Sequence, residues 1–186
     1  MKSGYDKLFR GYFISIFHIT IGSLKIFPPF VGYLIMVSAF TDLLSERKDP
    51  SFERAKSCSA FLALLNIAQW FTSASYDLEA VRVYVNLILM LIGAITEIVL
   101  YYELLNASAR ILGDIRYKSI QEKFIFDLRN ILIFTFIGQI VYIISTTFMY
   151  DSMGILGIVI LLICKIYVMS MIRKMYNIFP EEANNM

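Results

Sequence analysis

The lysines and arginines of this chain fall in alternate gaps between its apolar runs, and that placement constrains the fold more than any motif does. Lys2, Lys7 and Arg10 precede the first apolar run. Arg47, Lys48, Arg54 and Lys56 lie between the second and third. Arg110, Arg116, Lys118, Lys123 and Arg129 lie between or just inside the fourth and fifth, and Arg173 and Lys174 follow the sixth. The other gaps hold only Lys25 and Arg82, and the last of the 17 basic residues, Lys165, sits inside the sixth run. Cytoplasmic loops of membrane proteins collect Lys and Arg. The pattern predicts six crossings with both termini cytoplasmic, and places Lys25, Asp77 and Asp151 on the outer side.

Composition agrees with that reading. The 186 residues are 58% hydrophobic and 17% charged, with a mean hydropathy of +0.66. A soluble domain is nearer half apolar and about one-quarter charged. At roughly 20 residues per crossing, six helices use most of the chain, so residues 1–186 are expected to form a single integral membrane domain. The expected architecture is an all-α polytopic bundle with helices at about 8–21, 28–44, 57–75, 80–112, 124–150 and 154–172. Continuous apolar stretches argue against a β-barrel, whose strands alternate. The net charge of +2 gives no reason to expect a nucleic-acid partner. The basic loops suit an anionic inner leaflet.

The first run is short, spanning only about 20 Å at ~1.5 Å per residue. Gly22 can adopt backbone angles closed to other residues, and Pro29 suits the first turn of a following helix. Together they predict a tight hairpin whose outer turn is Gly22–Pro29. The charged stretch Ser45–Arg54, with Pro50, reads as a solvated loop, and the tail from Arg173 onward reads as frayed.

Polar residues within the apolar runs need partners, and so face the interior of a bundle. In the third run Ser59, Asn66 and Ser73 recur every seven residues, with Gln69 on the same stripe. In the fourth, Asn86, Gly93 and Glu97 share a face. The fifth offers Thr135, Gly138, Gln139, Tyr142 and Ser145, and the sixth offers Lys165. Such stripes either pin helix packing through hydrogen bonds worth about 0.6–2 kcal/mol each or surround a hydrated cavity. Glu97 and Lys165 fall at one depth on helices running in the same direction, which predicts an interaction between them. That pair is either structural or a solute or proton site. His18, the single histidine, is either a packing residue or a pH-sensing or ligand-contacting group. The candidate polar intramembrane site is therefore Glu97, Lys165, Asn66, Gln69, Asn86, Gln139, Tyr142 and His18.

The reagents of common chemistries are missing. The sequence has no Gly-x-Ser-x-Gly elbow, no HExxH, no P-loop and no CxxC pair. Cys58 and Cys164 read as separate buried thiols, so neither a metal nor another cofactor is expected. Asn106-Ala107-Ser108 matches a glycosylation sequon but falls on the cytoplasmic side of the expected topology. An enzyme is not the expected reading.

The stretch from Ile21 to Ile35, containing Gly22, Phe27-Pro28-Pro29 and Phe30-Val31-Gly32-Tyr33, resembles a pattern in a small uncharacterised polytopic membrane protein family of Gram-positive bacteria. That resemblance covers the first quarter of the chain and implies a bacterial cytoplasmic-membrane protein without implying an activity. In size and helix number the chain also looks like the substrate-binding integral subunits of energy-coupling-factor vitamin transporters, though its first helix lacks their alanine-x-x-x-alanine pattern.

Two functions remain open at this level. One is a solute transporter or membrane substrate-binding subunit with a polar site between helices three and six. The other is a non-catalytic partner, structural or immunity-type subunit with a packed core, working through a membrane protein partner or a homo-oligomer. A pocket above ~300 Å³ reaching Glu97 favours the first; a filled core favours the second.

Overall fold

The computed structural model describes residues 1–17, 20–21, 24–25, 28–74, 79–114, 118–148 and 150–179. These form six helices and one minimal hairpin: α1 (Lys2–Ile16), β1 (Thr20–Ile21), β2 (Leu24–Lys25), α2 (Pro29–Glu46), α3 (Pro50–Ala74), α4 (Glu79–Asp114), α5 (Lys118–Phe148) and α6 (Asp151–Ile178). The strands pair antiparallel, Thr20 with Lys25 and Ile21 with Leu24. Each helix packs on the next along the chain, and α1 closes on α6, so the six form a ring in sequence order. Three of them, α4, α5 and α6, contain stretches long and apolar enough to cross a membrane (Tyr84–Asp114, Ser119–Phe148 and Ser152–Ile178).

Ion pairs show which helix ends meet. The amino terminus pairs with Glu46 at the end of α2. Asp6 near the start of α1 lies 3.9 Å from Arg173 near the end of α6. Arg47, just after α2, pairs with Asp114 at the end of α4. The starts of α1 and α3 and the ends of α2, α4 and α6 thus share one end of the bundle, here termed the terminal end. The hairpin lies toward the other, far end.

Every helix but α2 and α4 departs from its expected bounds by several residues on at least one side, and the terminal end shows why. α1 spans 2–16 instead of 8–21, because Tyr5, Leu8 and Tyr12 form a buried helical stripe that includes the charged start of the chain. α3 begins at Pro50 instead of 57. Asp49 caps it, its Oδ1 accepting from the Ser51 amide at 2.8 Å, and Pro50 takes the first helical position. The expected solvated loop Ser45–Arg54 is therefore corrected to a short connection, 47–49, followed by a helix whose Ser51, Phe52 and Ala55 are buried. α5 starts at 118 instead of 124. α6 runs to Ile178 instead of 172, with Met175 fully buried, so the expected fraying from Arg173 does not occur there. Hydropathy marks where a helix is greasy, not where it stops. Gly22, Ser23, Ile26 and Phe27 of the expected turn Gly22–Pro29 lie outside the described residues, as does His18.

Glycines set the closest helix contacts. A Cβ on Gly32 would sit 2.5 Å from the Gly11 carbonyl oxygen, and one on Gly11 would sit 2.8 Å from that of Gly32. Backbone against backbone leaves nothing to rotate away, so α1 and α2 touch only because both residues lack a side chain. Gly157 packs in the same way against the Tyr142 backbone, joining α6 to α5.

Large side chains are buried toward the terminal end, among them Tyr5, Phe40, Phe52 and Phe124. The outer faces of α4, α5 and α6 are the reverse, with large apolar side chains such as Ile95, Phe134, Phe136, Ile155 and Ile163 exposed.

Candidate functional site

Two adjoining chambers occupy the part of the ring away from the terminal end. The outer one, about 400 Å³, is bounded by Pro28 and Pro29 at the start of α2, Trp70 on α3 and Asn86 near the start of α4. The inner one, about 220 Å³, reaches Tyr33 on α2 and Leu161 on α6, and ends at Glu97 and Lys165. Asn66, Gln69, Met90 and Tyr142 line both. The chamber that reaches Glu97 is by itself smaller than ~300 Å³, and the larger volume lies in its neighbour. From Asn86 to Glu97 the cavity follows α4 for about 16 Å at ~1.5 Å per residue.

The helical periods of α3 to α6 explain this convergence. Asn66 and Gln69 are three apart and face inward together, as do Asn86, Gly93 and Glu97 on α4. Gly93 leaves room: a Cβ there would meet nothing within 4 Å. Tyr142 follows Gln139 by three residues on α5, and Leu161 precedes Lys165 by four on α6. Five of the six helices, α2 to α6, supply the inner walls.

Glu97 and Lys165 form the predicted pair. Lys165 Nζ lies 2.7 Å from Glu97 Oε1, and the carboxylate is the more enclosed partner, its side chain 9% exposed against 26% for the lysine. Glu97 also accepts from Tyr101 Oη at 2.7 Å and from Gln139 Nε2 at 3.2 Å. Tyr101 in turn accepts from Tyr12 of α1 at 2.9 Å, a bond between two fully buried hydroxyls. The cavity floor is thus tied to four helices: α1, α4, α5 and α6. These donors stand where water would otherwise solvate the carboxylate.

Of the sequence candidates, Glu97, Lys165, Asn66, Gln69, Gln139 and Tyr142 come together at the inner chamber, and Asn86 joins at the outer. Asn66 also donates to the Leu62 carbonyl at 2.8 Å. Ser59, Thr135 and Ser145, on the same expected stripes, are buried but do not line either chamber; Ser145 donates to the Tyr150 carbonyl. His18 lies outside the described residues. Sequence reasoning missed Tyr101, although its spacing of four from Glu97 was a usable signal. It also missed Tyr12 and Tyr33, which no local pattern points to.

A second polar constellation closes the terminal end. Arg54 grips Glu103 with two bonds of 2.6 and 2.9 Å, and Arg110 grips Asp49 at 2.6 and 3.2 Å. The Ser51 hydroxyl accepts from both guanidinium groups. Burial pushes the Asp49 carboxyl up, but hydrogen bonds from Arg110 and the Ser51 amide outweigh it and hold the group below its usual range. Tyr5 and Ser108 share a buried bond of 2.9 Å beside this cluster, so the hydroxyl of the sequon match is a packing group. No group of three or more His, Cys, Asp or Glu able to hold a metal occurs among the described residues.

Comparison with protein-family models, curated proteins and solved structures matches nothing to this chain.

Proposed function

We propose that the chain is a multi-pass protein of the bacterial plasma membrane, crossing six times with both termini cytoplasmic, and that its polar cavity binds a small solute. It is on this reading a transporter or a membrane substrate-binding subunit. The observation that carries it is the cavity itself: amide side chains from three helices line a space that ends on a paired carboxylate and ammonium. A chain assembled only for packing gains nothing from leaving Gly93 without a neighbour on its inward face.

The six-crossing reading rests on the ring. α4, α5 and α6 meet the length and apolarity of spans, and their exposed apolar faces are far larger than a soluble monomer tolerates. α1, α2 and α3 complete the same ring, so they share its surroundings. α2, with 18 residues, reaches about 27 Å, and α1 with 15 residues only about 22 Å. A bilayer thinned beside α1 accommodates the difference.

Two measurements test this. In a background lacking Cys58 and Cys164, single cysteines at positions 48 and 77 are treated with an impermeant thiol reagent on intact cells. Labelling at 77 and not at 48 is expected, and the reverse overturns the topology. Purified protein in nanodiscs is then screened for thermal stabilisation by fractions of a small-molecule extract. A stabilising fraction is expected for the native chain and none for Gly93→Leu, whose side chain fills the inner chamber. Equal stabilisation of both places the ligand elsewhere, and no stabilising fraction removes the solute-binding reading.

A further inference from the structure

Resting on the solute-binding reading, we propose that the inner chamber receives an uncharged polar group of the solute, one with both hydrogen-bond donors and acceptors such as an amide, urea or hydroxyl-bearing ring. It rejects free carboxylates and ammonium groups. Three observations point this way.

The first is the internal neutrality of the floor. Glu97 and Lys165 are the only charged side chains among the described residues that line either chamber, and they lie 2.7 Å apart. Their charges cancel for anything arriving from the far end. A solute carboxylate gains Lys165 only by competing with Glu97, and it leaves two anions around one cation in a site with little water. A solute ammonium meets the same problem with the signs reversed.

The second is that Glu97 is already occupied on both oxygens. Lys165 and Tyr101 hold Oε1, and Gln139 holds Oε2. Three of its roughly four acceptor positions are taken, so a cationic solute finds little of the carboxylate left to bind. Lys165 is the more exposed partner. An ammonium carries three N–H donors, so Lys165 can stay paired with Glu97 and still donate to a neutral carbonyl or hydroxyl oxygen.

The third is the wall chemistry. Asn66, Gln69 and Gln139 each carry a donor and an acceptor on one planar group, which suits neutral polar groups and gives no preference for net charge. Sites built this way discriminate through unpaired polar groups left behind when the wrong ligand enters.

Thiol chemistry reads the chamber's electrostatics without knowing the solute. With Cys58 and Cys164 replaced by alanine, Gly93→Cys places a sulfur in open space in the inner chamber. The protein in nanodiscs is treated with hydroxyethyl, sulfonatoethyl and ammonioethyl methanethiosulfonates, which differ in head-group charge. Each rate is divided by that at an exposed reference, Lys48→Cys. The neutral reagent is expected to react at least tenfold faster, so normalised, than either charged one. Adding Glu97→Gln, which frees Lys165, should raise the anionic rate alone by about tenfold. Met90→Cys, which lines both chambers, repeats the test if Gly93→Cys fails to fold. A normalised preference for the anionic or the cationic reagent overturns the proposal while leaving a solute site standing. Equal rates for all three overturn it too. Failure of every reagent to react means that the chamber is closed to water, and overturns the solute-binding reading with it.

Discussion

The two ends of this bundle use the same kinds of residue for opposite purposes. At the terminal end, tyrosines, phenylalanines and ion pairs pack between the helices. Arg54–Glu103 and Arg110–Asp49 tie α3 and its cap to α4 there. Toward the far end, Tyr33, Tyr142 and Trp70 stand around unfilled volume, and one ion pair forms its floor. Partner geometry alone does not separate these pairs, since each is within 2.7 Å. The difference lies in what surrounds them: guanidinium groups at the terminal end reach solvent along part of their length, whereas Glu97 is bounded by Tyr101, Gln139 and the chamber. A charge pair beside a cavity has few substitutes when one partner is lost, and a pair at a wet helix end has many.

The contrast is broken most sharply at the floor. Lys165→Met should strand Glu97 and cost about 3–5 kcal/mol, while Glu97→Gln with Lys165→Met should recover most of it. Thermal unfolding in nanodiscs of both single variants and the double one checks this. A double variant no better than Lys165→Met would mean that the two residues do not support each other. Next in size is Gly32→Val, which forces α1 off α2 against the Gly11 carbonyl and should cost at least about 1–3 kcal/mol as overpacking. Retention of the native melting temperature would contradict the backbone contact.

The terminal end should respond less and depend on pH. Asp49 has a folded-state carboxyl held below its usual range. Its contribution is present above the unfolded value, roughly 3.9, and is lost as pH falls through the lower folded value. Asp49→Asn keeps a capping side chain but removes that titration. Its stability should fall less steeply than the native chain's below about pH 4. Parallel acid unfolding curves for the two proteins would count against this. The smallest effect is expected at Gly93→Ala. With open space around the new Cβ, helix propensity alone applies, and stability should rise by up to about 1 kcal/mol. A loss would show that the inner chamber is tighter than its walls indicate.

Much of the site was legible in the chain. Asn66 with Gln69, Asn86 with Glu97, and Gln139 with Tyr142 follow helical spacing, and apolar surroundings make inward-facing polar groups conspicuous. Glu97 and Lys165 could be matched because depth in a helix is a count of residues. The helix ends at the terminal side were less legible, because Tyr5, Phe52 and Met175 are buried by neighbours distant in sequence, not by an apolar run of their own. The Asp49-Pro50 start of α3 carried a capping signal that a charged stretch obscured.

The sequence by itself determined that the chain builds six helices, that its long apolar runs suit an apolar solvent, and which faces carry polar groups. These follow from composition and from the 3.6-residue period, both local properties. Only the tertiary structure decided that the helices close in a ring from α1 to α6, that Tyr12 of α1 reaches Tyr101 above the buried carboxylate, and that the polar faces enclose space instead of sealing it. The ring also depends on contacts between consecutive helices such as Gly11 against Gly32, where two residues must both lack a side chain. No local pattern encodes that condition, because each glycine is permissive alone and restrictive only in company.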